Sequence, residues 1–148
     1  MDGALHLATG RYARGFNCAQ SIFSAFSAQL GVSSEFALRL AAPFGAGMGR
    51  AGEVCGALSG ALMVLGLQYA KARPESKDEI YAITREFMEQ FRQRHGSALC
   101  RELVGYDIST PEGLQAARDN SAFSVICPLV VEETTRSLER YIGEHPVK

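Results

Sequence analysis

Between Glu53 and Lys71 the chain carries no charged side chain. Residues 54–69 read VCGALSGALMVLGLQY, apolar on nearly every face of a helix. A helix that is hydrophobic all round is either buried in a core or crosses a membrane. Spanning takes roughly 20 predominantly apolar residues, and Gly56, Ser59, Gly60, Gly66 and Gln68 dilute this run. It therefore reads as a buried central helix, and the rest of the chain must supply its cover. With 148 residues the chain suits one domain, 1–148, with a substantial core.

The covering elements announce themselves by period and by punctuation. Residues 3–14 suit a short helix closed by Gly15. Asn17 is an N-cap for a helix from Cys18 to Leu30, with Ile22, Phe23, Phe26 and Leu30 in a stripe. Ser33 or Ser34 caps a third helix that stops before Pro43. After the charged turn KARPESKD, a long amphipathic helix reaches His95, with Ile80, Ile83, Phe87, Met88 and Phe91 inward. Gly96 closes it, and Ser97 caps a short helix holding Cys100. Thr110-Pro111 forms an N-cap and N1 pair. Residues 120–125 read as loop, with Pro128 at N1 of a last helix that turns Val131, Leu138, Tyr141 and Ile142 inward. No segment alternates with period two. The fold class is all-α: a compact bundle of about five main helices around the buried helix at about 54–69.

A glycine-rich loop, Phe44-Gly45-Ala46-Gly47-Met48-Gly49-Arg50 and on to Gly52, feeds the central helix. It lacks the preceding strand and spacing of a dinucleotide fingerprint and the Lys-Ser/Thr of a P-loop, which argues against nucleotide binding. Anion binding by its amides stays open. A net charge of -1 and the absence of Trp give nucleic acid no basis for binding.

The chain has four cysteines, at 18, 55, 100 and 127. They are too sparse for a disulfide scaffold, and none forms a CxxC. Each falls at or near an expected helix N-terminus, where free amides and the helix dipole stabilise a thiolate. The alternative is that they are small buried hydrophobes. Gly56 and Gly60 share one helix face and let another backbone come close. That face could serve a homodimer, or simply internal packing.

Asn17-Cys18-Ala19-Gln20, the loop from Phe44 to Arg50, Cys55-Gly56-Ala57-Leu58-Ser59-Gly60-Ala61, then Cys100 and Cys127 resemble the redox-active protein family named for its C_GCAxxG_C_C cysteine pattern. The resemblance runs from about residue 4 to 142, and the pattern is complete. It implies a redox or metal-binding site built from Cys18, Cys55, Cys100 and Cys127. Gly47, Gly49, Arg50 and Gly56 would wrap whatever is bound there. Arg50, the nearest cation in sequence, could further stabilise a thiolate at Cys55. Four converging thiolates would suit Zn²⁺ or an iron–sulfur cluster, which a purified form could lack. The protein would then pass electrons to a redox partner protein. The second reading is dithiol–disulfide chemistry with Cys55 as the attacking thiol and Cys18 as a further candidate. A third is a helical interaction module with structural cysteines. His95, five residues before Cys100, is an additional candidate ligand or base. The N-terminal residues show no signal-peptide pattern and no membrane span is expected, which points to the cytoplasm.

Overall fold

The computed structural model describes residues 2–147. Its helices are α1 (Asp2–Ala13), α2 (Cys18–Ser27), α3 (Ser34–Ala41), α4 (Gly56–Tyr69), α5 (Lys77–His95), α6 (Cys100–Val104), α7 (Pro111–Asp119) and α8 (Ala122–Glu144). Short 3₁₀ turns lie at Ala28–Leu30, Ala42–Phe44 and Pro74–Ser76. Among the described residues there is no strand, only an isolated antiparallel bridge between Val54 and Leu99. The fold is all-α, and no described helix is long and apolar enough to cross a membrane.

The charge-free helix α4 is central, as its composition demands. Gly56 to Ala61, Val64 and Leu65 are buried, and burying each leucine stabilises the fold by about 1.5–3 kcal/mol. Only its C-terminal end emerges, at Leu67. Its closest neighbour is α2. A Cβ on Gly60 would lie 2.8 Å from the carbonyl oxygen of Ala19, so only glycine lets the two backbones meet there. The Gly56/Gly60 face is therefore used inside the chain and is closed to a second copy.

Helix α2 departs from the stripe its sequence suggests, because every residue except Gln20 is buried. Ser21, Ser24 and Ser27, three residues apart, make this tolerable. Ser21 donates to the Asn17 carbonyl at 2.7 Å, Ser27 donates to Ser24 O at 3.3 Å, and Ser24 Oγ accepts from Arg11 at 2.8 Å. A buried hydroxyl with a partner costs little. Asn17 caps the helix as expected, in a reciprocal capping box with Gln20.

Helix α5 lays Phe87 and Phe91 on the core, and α8 contributes Val131, Leu138 and Tyr141. A smaller second core gathers Cys100, Val104, Ile108, Ala117 and Ala122. It explains the largest difference from the sequence reading. Helix α8 starts at Ala122, so residues 122–125 are helix rather than loop, and Pro128 lies inside it. Ala122 is buried in the second core, and that packing outweighs the one i→i−4 bond a proline forfeits. Cys127 is thus a mid-helix residue. Two smaller shifts concern caps. Helix α4 begins at Gly56 with Cys55 at the N-cap, and α6 has Leu99 at its N-cap. Ser97 instead accepts from the Leu99 amide at 3.0 Å.

Candidate functional site

The glycine loop is a left-handed turn. Ala46, Gly47, Met48, Gly49 and Arg50 all have positive φ, between 54° and 71°. Left-handed backbone costs an L-residue roughly 1–2 kcal/mol, so three non-glycine residues here hold conformational strain. The turn is closed by Gly49 N–H to Gly45 O at 2.9 Å and Glu53 N–H to Gly47 O at 2.9 Å. Gly47 has no room for a side chain. A Cβ would meet the Glu53 nitrogen at 2.6 Å and Cys100 Cβ at 2.7 Å.

Behind the turn, the chain around Val54 pairs antiparallel with the chain around Leu99. Cys55 N–H donates to Ala98 O at 2.8 Å, and Cys100 N–H donates to Glu53 O at 2.7 Å. This places the second and third cysteines side by side at the starts of α4 and α6. Cys18 opens α2, and α8 brings in Cys127. All four line one cavity of about 640 Å³, with Tyr12, Arg50, Gly56 and Arg118 also in its wall. Gly56 permits the close approach of Cys18, whose Cβ would lie 3.4 Å from an added Cβ. Gly47 and Gly49 are not in the wall; the former makes room for Cys100, and the latter belongs to the turn. His95 is not in the wall either: its ring packs on Phe91.

The four thiols, all free, are not electrostatically equal. Burial pushes Cys55 up to about 11, against the opposing pull of the Ala57 and Leu58 amides. These amides face the sulfur without forming a close cap hydrogen bond. Burial, with the neighbouring thiols Cys55 and Cys127, pushes Cys100 up to about 12. Helix N-termini are expected to favour the thiolates of these two cysteines, and burial pushes both the other way. Cys127 goes the other way. The neighbouring Cys18 thiol favours its thiolate, burial opposes, and the Tyr12 hydroxyl lowers it further, leaving it at about 7. Cys18 rises well above the ordinary thiol value, chiefly through the neighbouring Cys127 and then through burial. The two thiols are pushed in opposite directions, Cys127 down and Cys18 up. The α2 dipole alone would favour charge on Cys18, but Cys18 is the more deeply buried of the two.

Tyr12 was legible only as an apolar residue of the first helix. Its hydroxyl donates to Phe123 O at 2.8 Å, across 111 residues of chain, and lies beside Cys127. Arg118 was likewise missed; in sequence it is one more charge on a short amphipathic helix.

An all-thiol donor set is the right kind for Zn²⁺ or an iron–sulfur cluster. Among the described residues, however, no three His, Cys, Asp or Glu side chains stand close enough together to hold one ion. The arrangement is a cavity walled by thiols, and it does not fit a preformed metal centre.

These features define a class: an all-α protein whose dispersed cysteines fold into one thiol-lined cavity. Residues 16–141 match the family described as "Putative redox-active protein (C_GCAxxG_C_C)", and the chain belongs to that family. No curated protein and no solved structure matches it.

Proposed function

We propose that the protein is a dithiol–disulfide oxidoreductase in which Cys127 attacks and Cys18 resolves. The observation that carries this reading is that these two thiols line one cavity in opposed environments, Cys127 less buried and lowered to about 7, Cys18 buried and raised. At neutral pH a large share of Cys127 is thiolate, the nucleophilic form, and a thiol with a pKa near ambient pH is close to the optimum for attack.

The chemistry balances without a further reactant. The Cys127 thiolate attacks one sulfur of a substrate disulfide R–S–S–R. The S–S bond breaks, a thiolate RS⁻ leaves, and Cys127 carries the mixed disulfide. Cys18 gives up its proton and attacks the Cys127 sulfur. The mixed disulfide breaks, the second RS⁻ leaves, and a Cys18–Cys127 disulfide remains. Two electrons pass from the protein dithiol to the substrate, and two thiols are released after protonation. A second dithiol, small or on a partner protein, restores the pair by the reverse exchange. Burial of the sulfurs favours a small substrate over a disulfide on another protein's surface.

The test uses reduced protein and bis(2-hydroxyethyl) disulfide at pH 7, followed by mass spectrometry. Cys18→Ser is expected to trap the mixed disulfide on Cys127, and Cys127→Ser to react far more slowly than the unmodified protein. Undiminished reaction in Cys127→Ser would overturn the assignment.

A further inference from the structure

The cavity has a charge pattern that the thiol chemistry does not use. Among the described residues, Arg50 and Arg118 are the only cationic side chains in its wall, with no Asp, Glu, Lys or His lining it. Among the described residues neither guanidinium has an ion-pair partner, although Arg92, Arg94, Arg101 and Arg136 all pair with glutamates. They reach the site from different elements, Arg50 from the left-handed turn and Arg118 from the last turn of α7. A third cation stands nearby. The Arg14 guanidinium lies 5.7 Å from the ring centre of Phe16, and Phe16 lines the cavity. Much of the rest of the wall is apolar, with Leu103, Val104, Leu114, Phe123 and Ile126. The chain as a whole carries a net charge of -1, so this positive concentration is local.

We infer that the cavity binds a small dianionic molecule with an apolar middle, holding its acid groups on Arg50 and Arg118 and its centre over the thiols. Arginine suits carboxylates because its planar fork donates two parallel hydrogen bonds. A volume of about 640 Å³ lies within the ~300–1,000 Å³ of small-molecule sites. This deepens the oxidoreductase reading by naming the substrate class as low-molecular-weight disulfides that carry carboxylates. A free thiolate shows the opposite preference, since a cationic disulfide is drawn to its negative charge.

Binding is separable from exchange. Suberate has the chain length and the two carboxylates of 3,3′-dithiodipropionate but no sulfur; octane-1,8-diol is its uncharged counterpart. Iodoacetamide, itself uncharged, reports access to Cys127. Suberate is expected to protect Cys127 saturably, by about tenfold at ten times its Kd, and the diol is expected not to. Arg50→Gln and Arg118→Gln should each weaken that protection. Arg118 is exposed on a helix, so its variant remains informative should the strained turn fail to accept glutamine at 50. Equal protection by diol and suberate, no protection by either, or full protection of both variants would overturn the anion site. The oxidoreductase reading is judged separately, by whether oxidation links Cys18 to Cys127. The protein can pass one test and fail the other.

Discussion

At the level of single residues, the account rests on which sulfur carries charge. A hydrogen bond donated to a thiolate stabilises the deprotonated form, so removing a donor raises the pKa. Cys18→Ala is expected to move the alkylation midpoint of Cys127 upward from about 7, towards the ordinary thiol value near 8.5. The check is the iodoacetamide rate between pH 5 and 10 with the other cysteines mapped in parallel. Cys127 was visible in the sequence as a candidate, but for the wrong reason. Its expected place at a helix N-terminus is taken by Ala122, and the group that chiefly lowers it is Cys18, more than a hundred residues away. Such partners leave no local pattern. Cys55 shows the converse, since its place at a helix start was readable and its desolvation was not.

Helices and turns were easier to read, because each is governed by neighbours in sequence. Asn17, Ser33 and Thr110 cap as their chemistry requires, and the charge-free run could only be buried. The pairing of residues 53–55 with 98–101 was hidden, because an isolated bridge is too short to show a period. At the α2–α4 contact, Gly60→Ala is expected to cost about 1–3 kcal/mol, the usual range for overpacking, since the obstructing atoms are backbone. Gly66→Ala in the same helix meets nothing within 4 Å and should be neutral or stabilising by about 0.5–1 kcal/mol. Urea unfolding of the two variants distinguishes a close backbone contact from a general intolerance of alanine in α4.

For the molecule as a whole, the buried neutral thiols tie stability to pH. Cys55 and Cys100 have folded pKa values raised to about 11 and about 12, above an unfolded value near 8.5. In that interval the unfolded chain binds fewer protons than the folded one, so stability falls as pH rises. Their contribution is fully present below about pH 8.5 and is lost as pH climbs through 11 and 12. Cys55→Ser and Cys100→Ser should each flatten the loss of thermal stability measured across that range. Cys127 acts in the opposite sense, adding stability between about 7 and the unfolded value. Closing a Cys18–Cys127 disulfide would tie α2 to α8 across most of the chain. Chain entropy sets its stabilisation at up to about 4–5 kcal/mol for a loop of this size, so the oxidised form should unfold at higher urea than the reduced form.

The central claim is that Cys18 and Cys127 are the redox pair, and peptide mapping of the oxidised protein tests it most directly. The fully reduced protein is equilibrated at pH 7 in glutathione buffers of rising potential, quenched with acid, alkylated and digested. The account predicts that the first two-electron oxidation removes two hydrogen atoms and links the Cys18 and Cys127 peptides, leaving Cys55 and Cys100 as thiols. A first disulfide between Cys55 and Cys100, or oxidation that leaves Cys127 free, would contradict it.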